Sequence, residues 1–224
     1  MQISKLTMFA VPAMILAMNA QAATQSSAEP TVHFRATVQN LTGGNVLSPY
    51  ISLVHKHNTQ LFEPGQVATA GIAQIAETGA TSILEEELAA NPIVLAVTKA
   101  EGGPFLSSEK RSIEFEVPAK FVNYGARFTV LAMIGKSNDS FVAFRNIELK
   151  RVVSGSAATI IATNYDAGSE ENSGNVEDFG PGGHPVEFAE GHISFDRGLN
   201  LKGNAPESLA WGHNAAQLTL EIIK

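Results

Sequence analysis

Apolar and polar residues alternate from residue 32 onward in the way that a half-buried β-strand requires. Val32, Phe34, Ala36 and Val38 are separated by polar residues, which is the period-two pattern of a strand with one buried face. Further short apolar or alternating runs predict seven more strands, at 51–54, 93–98, 113–117, 128–134, 141–149, 159–163 and 218–223. About eight strands separated by glycine, proline and asparagine indicate an all-β chain that folds as an antiparallel two-sheet β-sandwich.

A helical pattern occurs in one region, between the second and third predicted strands. Gly71–Glu77 is long enough for two turns, and Ser82–Glu85 has the form of a capping box. Pro92 follows and cannot continue a helix. We therefore expect one or two short helices in a crossover between strands, and no second domain.

The start of the chain has the pattern of a secretory signal. Lys5 is the only charged residue before Glu29, and it precedes an apolar run, Leu6–Met18. Alanines at the expected cleavage positions follow this run. The run is shorter than the about 20 residues that span a bilayer. We expect residues 1–22 to be cleaved, with Ala23 as the alternative end of the signal, and the protein to be secreted or periplasmic.

The rest of the chain is predicted to form a flexible segment at 23–30 and one sandwich domain at 31–224. The sequence has no cysteine, which excludes disulfides and lipid-modified cysteine. Loss of Lys5 with the signal makes the mature chain more acidic than the full-length net charge of −7. An acidic chain is not drawn to phosphate backbones, so no nucleic-acid partner is expected. No later apolar stretch is long enough to predict a membrane span.

Residues 164–214 form a long region rich in glycine, asparagine and acids, with little periodic apolar pattern. Loops of this length in a compact domain are commonly functional or disordered, and Trp211, the only tryptophan, favours a loop that folds back onto the domain. Within this region, 13 residues without lysine or arginine contain five acids: Asp166, Glu170, Glu171, Glu177 and Asp178. Crowded carboxylates favour a hard divalent cation with oxygen ligands, and calcium fits best.

Two segments resemble the paired motifs of the spondin N-terminal domain family. Ser137–Ala143 reads SNDSFVA and Tyr165–Glu170 reads YDAGSE. These are similar to the family's Ser-Pro-Asp-Trp-Phe-Val-Gly and Trp-Asp-Ala-Gly-Thr-Asp, in the same order and with a matching separation. Leu41–Gly44 and Leu61–Gln66 also resemble the bacterial single-domain members of this family.

The resemblance implies a C2-like β-sandwich that holds a calcium ion between loops at one end and serves extracellular adhesion or recognition. Carried over residue by residue, the calcium ligands of the family fall on Asp139, Asp166 and Glu170. Glu170 is one methylene longer than the aspartate of the animal members. Ser140 stands in place of a tryptophan, so the partner surface of the animal proteins does not transfer directly.

Three functions are compatible with these patterns. The leading hypothesis is a calcium-stabilised recognition module without catalytic activity, whose ligand is an unidentified extracellular or periplasmic protein or glycan. The usual hydrolase and nucleotide-binding motifs are absent from the sequence. The alternatives are a hydrolase with a carboxylate pair on the same loops, and a structural envelope or matrix protein whose acidic loops only aid solubility.

Overall fold

The computed structural model describes residues 29–57, 59–184 and 188–223. The predicted signal peptide, residues 1–22, lies outside these ranges. Within these ranges ten strands are present: β1 (Thr31–Asn40), β2 (Ile51–His55), β3 (Val94–Lys99), β4 (Lys110–Pro118), β5 (Arg127–Met133), β6 (Ser140–Glu148), β7 (Ala157–Ile161), β8 (Thr163–Asp166), β9 (Ser194–Phe195) and β10 (Ala216–Ile223). The helices are α1 (Ala70–Thr78), α2 (Ser82–Ala89), α3 (Ala119–Asn123) and α4 (Leu149–Gly155).

The strands form two sheets in which neighbouring strands run antiparallel. The four-stranded sheet has the order β4-β1-β10-β7, and the six-stranded sheet has the order β3-β2-β5-β6-β8-β9. The predicted all-β, two-sheet architecture is therefore confirmed. The register of β1 and β10 pairs His33 with Ile223, so the first and last strands lie side by side.

The core between the sheets follows from the alternation in the strands. Phe34 in β1 is fully buried, as are the apolar residues two and four positions later. Phe115 of β4 stacks on Phe34 with ring centroids 5.3 Å apart. On its other side Phe115 stacks on Phe128 of β5, in the opposite sheet, at 4.6 Å. These aromatic contacts connect the two sheets.

The six-stranded sheet is buried on both faces, because α1 and α2 cover the face that points away from the first core. Phe128 and Val130 of β5 pack in the core between the sheets, whereas Leu131 packs in a second core with Ile72 and Ile75 of α1. This explains the nearly continuous burial of β5. The predicted crossover helices are confirmed between β2 and β3. Among the described residues, no helix is long and apolar enough to cross a membrane.

The chain changes sheets where the sequence pattern predicted a single strand at 159–163. The segment β7 ends at Ile161 in the four-stranded sheet, and β8 begins at Thr163 in the six-stranded sheet. The buried Ala162 lies between them, and its amide bonds to Ala216 O at 2.9 Å. The prediction of one continuous strand is wrong here because an apolar run does not reveal which sheet each half joins. This crossing places Asp166 at the end of β8.

Tyr50 connects the two sheets through its hydroxyl group. It precedes β2 of the six-stranded sheet and is fully buried. Its hydroxyl lies 3.1 Å from the carbonyl oxygens of Ala36 in β1 and of Arg111 in β4. The hydroxyl proton is thus shared between two acceptors of the opposite sheet.

Tyr50→Phe is expected to lower the free energy of unfolding by about 1–2 kcal/mol, because a buried and a partly buried carbonyl lose a donor while the ring packing is kept. Urea unfolding measures this change. Tyr124→Phe is the matched control: Tyr124 is 79% exposed, so a change within about 0.5 kcal/mol is expected. Equal stability of both variants would show that the hydroxyl does not stabilise the sandwich.

Candidate metal centre

The pairing of β6 with β8 places Asp139 and Asp166 next to each other. Ser140, the first residue of β6, is paired with Asp166, the last residue of β8. Asp139 immediately precedes Ser140, and its carbonyl oxygen accepts a hydrogen bond from Ala167 N at 3.0 Å. Both carboxylates therefore lie at the same end of the six-stranded sheet, as the sequence predicts.

A third carboxylate joins them from the long loop. Oxygen atoms of Asp139, Asp166 and Glu190 all lie within 4.8 Å of one another. Asp139 and Asp166 are buried and Glu190 is exposed. We call these three residues the carboxylate triad. It is made of oxygen donors alone, which suits a hard cation better than zinc or copper.

Gly168 allows the loop that carries Glu190 to approach this end of the sheet. Gly191 N donates to Gly168 O at 2.8 Å. Gly168 has a φ of +66°, and a Cβ at this position would lie 2.2 Å from His192 O. Glycine is thus required both for the left-handed backbone and for the close approach of the loop.

The two oxygens of the Asp139 carboxylate have different surroundings. Oδ2 accepts hydrogen bonds from Ser169 N at 2.8 Å, Ser169 Oγ at 3.2 Å and Glu170 N at 3.0 Å. Oδ1 is buried and has no hydrogen-bond partner among the described residues. The whole residue is 1% exposed. A buried carboxylate oxygen without a donor is costly, and a proton, a water molecule or a cation at Oδ1 would remove this cost.

Burial and mutual repulsion disfavour the ionised forms of these acids. Burial raises the pKa of Asp166 to about 8, and the nearby charges of Asp139 and Glu190 add to this shift. Burial also raises the pKa of Asp139 to about 6, against the stabilising hydrogen bonds from the Glu170 and Ser169 amides. A divalent cation between the carboxylates would reverse this preference and favour the ionised forms.

Glu170, the third ligand implied by the resemblance, follows Gly168 in the loop after β8. Its backbone amide supports Asp139, but its carboxylate is not part of the carboxylate triad. Burial raises the pKa of Glu170 to about 7, and the largest charge contribution comes from Glu77 of α1. The role of Glu170 as a direct ligand stays a prediction, and Glu190 provides the third carboxylate in this geometry.

Asp196 lies next to the site, and both of its carboxylate oxygens accept hydrogen bonds. Its Oδ1 accepts from Ser140 Oγ at 3.2 Å and Gly198 N at 3.0 Å, and its Oδ2 accepts from Trp211 Nε1. Trp211 is buried, so the late loop folds back onto the domain. Asp196 thus joins the loop to the start of β6 and leaves cation binding to the carboxylate triad.

A polar cavity of about 430 Å³ opens beside the carboxylate triad. Asp166 and Glu190 form part of its wall, whereas the buried Asp139 does not. Ser194 also lines the cavity because it pairs with Asp166 across β8 and β9. A cation held by the triad would therefore lie at the inner end of this cavity.

Comparison with known proteins agrees with the motifs in this region. The spondin N-terminal domain model (Spondin_N) matches residues 32–175, from β1 through β8 to the loop that follows Asp166. No curated protein matches the chain. The family match includes Asp139, Asp166 and Glu170 and ends before Glu190. Because this match covers well over half of the 224 residues, the chain belongs to the spondin N-terminal domain family.

Proposed function

We propose that this protein is an exported calcium-binding recognition module without catalytic activity. The observation that carries the proposal is Asp139 Oδ1, a buried oxygen without a partner among the described residues that belongs to a group of three carboxylates. Calcium accepts six to eight oxygen ligands in flexible geometry. The triad supplies at least three of them and leaves positions for water or a ligand.

Export would allow a calcium site of low affinity to be occupied. Extracellular calcium modules work at dissociation constants of about 10⁻⁴ to 10⁻³ M, a range in which a cytosolic protein would stay metal-free. The signal-like segment at 1–22 supports delivery to the periplasm or the medium. There the ion would join β6, β8 and the loop at Glu190, and so fix the surface that meets a ligand.

The mature protein is expected to begin at Ala23 because cleavage after Ala22 satisfies the small-residue rule of signal peptidase. Intact-mass measurement of protein recovered from the periplasm or the medium of an expressing bacterium tests this. A start at Thr24 would agree with the alternative cleavage site. Recovery of the uncleaved chain from the cytoplasm alone would contradict export.

Calcium is expected to stabilise the protein through the triad. At calcium about 100-fold above the dissociation constant, stabilisation is about 2.7 kcal/mol, or about 5–10 °C in melting temperature for a domain of this size. Asp139→Asn, Asp166→Asn and Glu190→Gln should each remove most of this shift while keeping side-chain shape.

Glu177→Gln is the matched control, because Glu177 is an exposed acid of the same loop, and it should keep the calcium shift. Glu170→Gln distinguishes two ligand sets: the shift is kept if the triad alone binds calcium, and it is lost if Glu170 is a ligand as the family motif implies. If the parent protein melted at the same temperature with calcium as with a chelator, calcium binding would be ruled out.

The metal-free protein is expected to lose stability as pH rises from about 4 to 8. The pKa of Asp166 is raised to about 8 and that of Asp139 to about 6, while the unfolded chain has ordinary values near 4. Between these limits the folded state holds more protons than the unfolded state, so stability falls with rising pH. Calcium binding should release protons and tighten across the same range.

Melting curves at pH 5, 6, 7 and 8 with a chelator measure the pH dependence of the metal-free stability. Calcium titrations in buffers of different ionisation enthalpy measure the protons that are released on binding. Asp166→Asn removes the group with the larger shift and should flatten the metal-free profile. A metal-free stability that rises steadily from pH 5 to 8 would be the opposite of this expectation.

The absence of catalysis is tested separately. A carboxylate hydrolase needs two acids that reach a substrate, and Asp166 and Glu190 both line the cavity. Under this proposal these two carboxylates bind the cation, so that neither would act as a general acid or a nucleophile. Turnover of chromogenic glycosides or esters by the parent protein, lost in Glu190→Gln, would overturn it.

A further inference from the structure

The cavity beside the triad has the size of a small-molecule site and an unusually polar wall. Its volume of about 430 Å³ lies within the range of about 300–1,000 Å³ that is typical of ligand sites. Most such sites are lined by apolar groups. Here Leu199 is the one apolar side chain among the described lining residues, and Arg197, Asn172 and Asn200 are among the polar ones. The occupant must therefore be rich in polar groups.

The wall of the cavity is already organised by hydrogen bonds between its own residues. Asn172 N donates to Glu190 Oε1 at 3.2 Å, and Asn172 Nδ2 donates to Gly198 O at 3.2 Å. Asn200 Nδ2 donates to Asn172 O at 2.8 Å. These contacts hold both sides of the cavity together before a ligand arrives, which lowers the entropic cost of binding.

A calcium ion at the triad would offer open coordination positions to this cavity. Three carboxylates fill fewer than the six to eight positions of calcium unless all bind through both oxygens. Asp139 would hold the ion from the buried side, because Asp139 is buried, while Asp166 and Glu190 line the cavity. The remaining positions therefore point toward the cavity, where ligand oxygens can replace water.

The charges around the cavity favour a neutral ligand over an acidic one. Besides the triad, Glu171 lines the cavity, and Arg197 is its one lysine or arginine among the described residues. With histidine counted as neutral, these four carboxylates exceed calcium and Arg197 by one formal negative charge. A second anion would meet this excess charge, whereas hydroxyl groups can donate to the carboxylates and still offer lone pairs to the cation.

We propose that the cavity binds a neutral saccharide, with two adjacent hydroxyl groups on the calcium ion and a third oxygen accepting from Arg197. This inference rests on the proposed calcium site. Arg197 is exposed and forms no ion pair with the described residues, so its guanidinium donors are available. Hydroxyls on adjacent ring carbons give paired oxygens at fixed separation, which suits the flexible oxygen coordination of calcium.

Isothermal titration tests the inference on the mature chain, first with calcium alone and then with methyl α-D-mannopyranoside, methyl β-D-galactopyranoside and sodium glucuronate. Each sugar is titrated with calcium and with a chelator. We expect at least one neutral glycoside to bind only with calcium, and glucuronate to bind more weakly. Arg197→Ala should weaken glycoside binding tenfold or more, because a charged hydrogen bond is lost.

Lys202→Ala is the matched control, since it removes an exposed cation of the same loop that does not line the cavity. It should bind the glycoside like the parent, and both variants should keep calcium binding and the parent's melting temperature.

Three results would overturn the inference. Calcium binding without any glycoside binding, or glycoside binding unaffected by Arg197→Ala, would overturn the saccharide site and leave the calcium site standing. Tighter binding of glucuronate than of the neutral glycosides would overturn the neutral class of ligand. Absence of calcium binding would overturn the proposed function itself, and the saccharide site with it.

Discussion

Two carboxyl groups, Asp139 and Asp166, are buried side by side at one end of the sandwich, and the register of β6 against β8 forces this. Because Ser140 is paired with Asp166, Asp139 cannot move away without breaking the sheet. Its Oδ2 has three donors and its Oδ1 has none among the described residues. The sheet thus holds in place an arrangement that is unfavourable without a proton or a cation.

The rest of the fold makes this end of the sheet rigid. In the second core, Tyr165 stacks on Phe141 and meets Phe62 edge to face, and Arg145 lies over the Phe62 ring. Asp196 accepts hydrogen bonds from Ser140 of β6 and from Trp211, and these bonds join the late loop to β6. A cation would therefore bind to a prepared site, with little reorganisation of the strands.

The sequence predicts the sandwich well because strand alternation depends on local burial. It does not predict that the chain changes sheets at Ala162, since the apolar run at 159–163 joins the end of β7 to the first residue of β8 and their separation is a tertiary effect. The burial of β5 on both faces likewise depends on α1. Period-two patterns alone indicate strands, and they do not reveal how many layers cover a sheet.

The candidate site was predictable only in part. Asp139 and Asp166 lie in recognisable motifs at strand ends, so antiparallel pairing could bring them together. Glu190 lies in a segment without periodic pattern and outside the family match. Its position depends on the close approach of Gly191 to Gly168, and the glycine in the motif after Asp166 is the only sequence signal of that approach. Glu170 is the acidic residue of the second motif, and the contact that it makes with the site is through its backbone amide, which donates to Asp139 Oδ2.

A crystal structure of the mature protein grown with calcium tests the central claim most directly. The account predicts an ion, identified by anomalous scattering, with oxygens of Asp139, Asp166 and Glu190 at about 2.3–2.6 Å and Asp139 Oδ1 among them. A well-ordered triad without an ion at saturating calcium, or with Oδ1 bonded only to water or a proton donor, would contradict it.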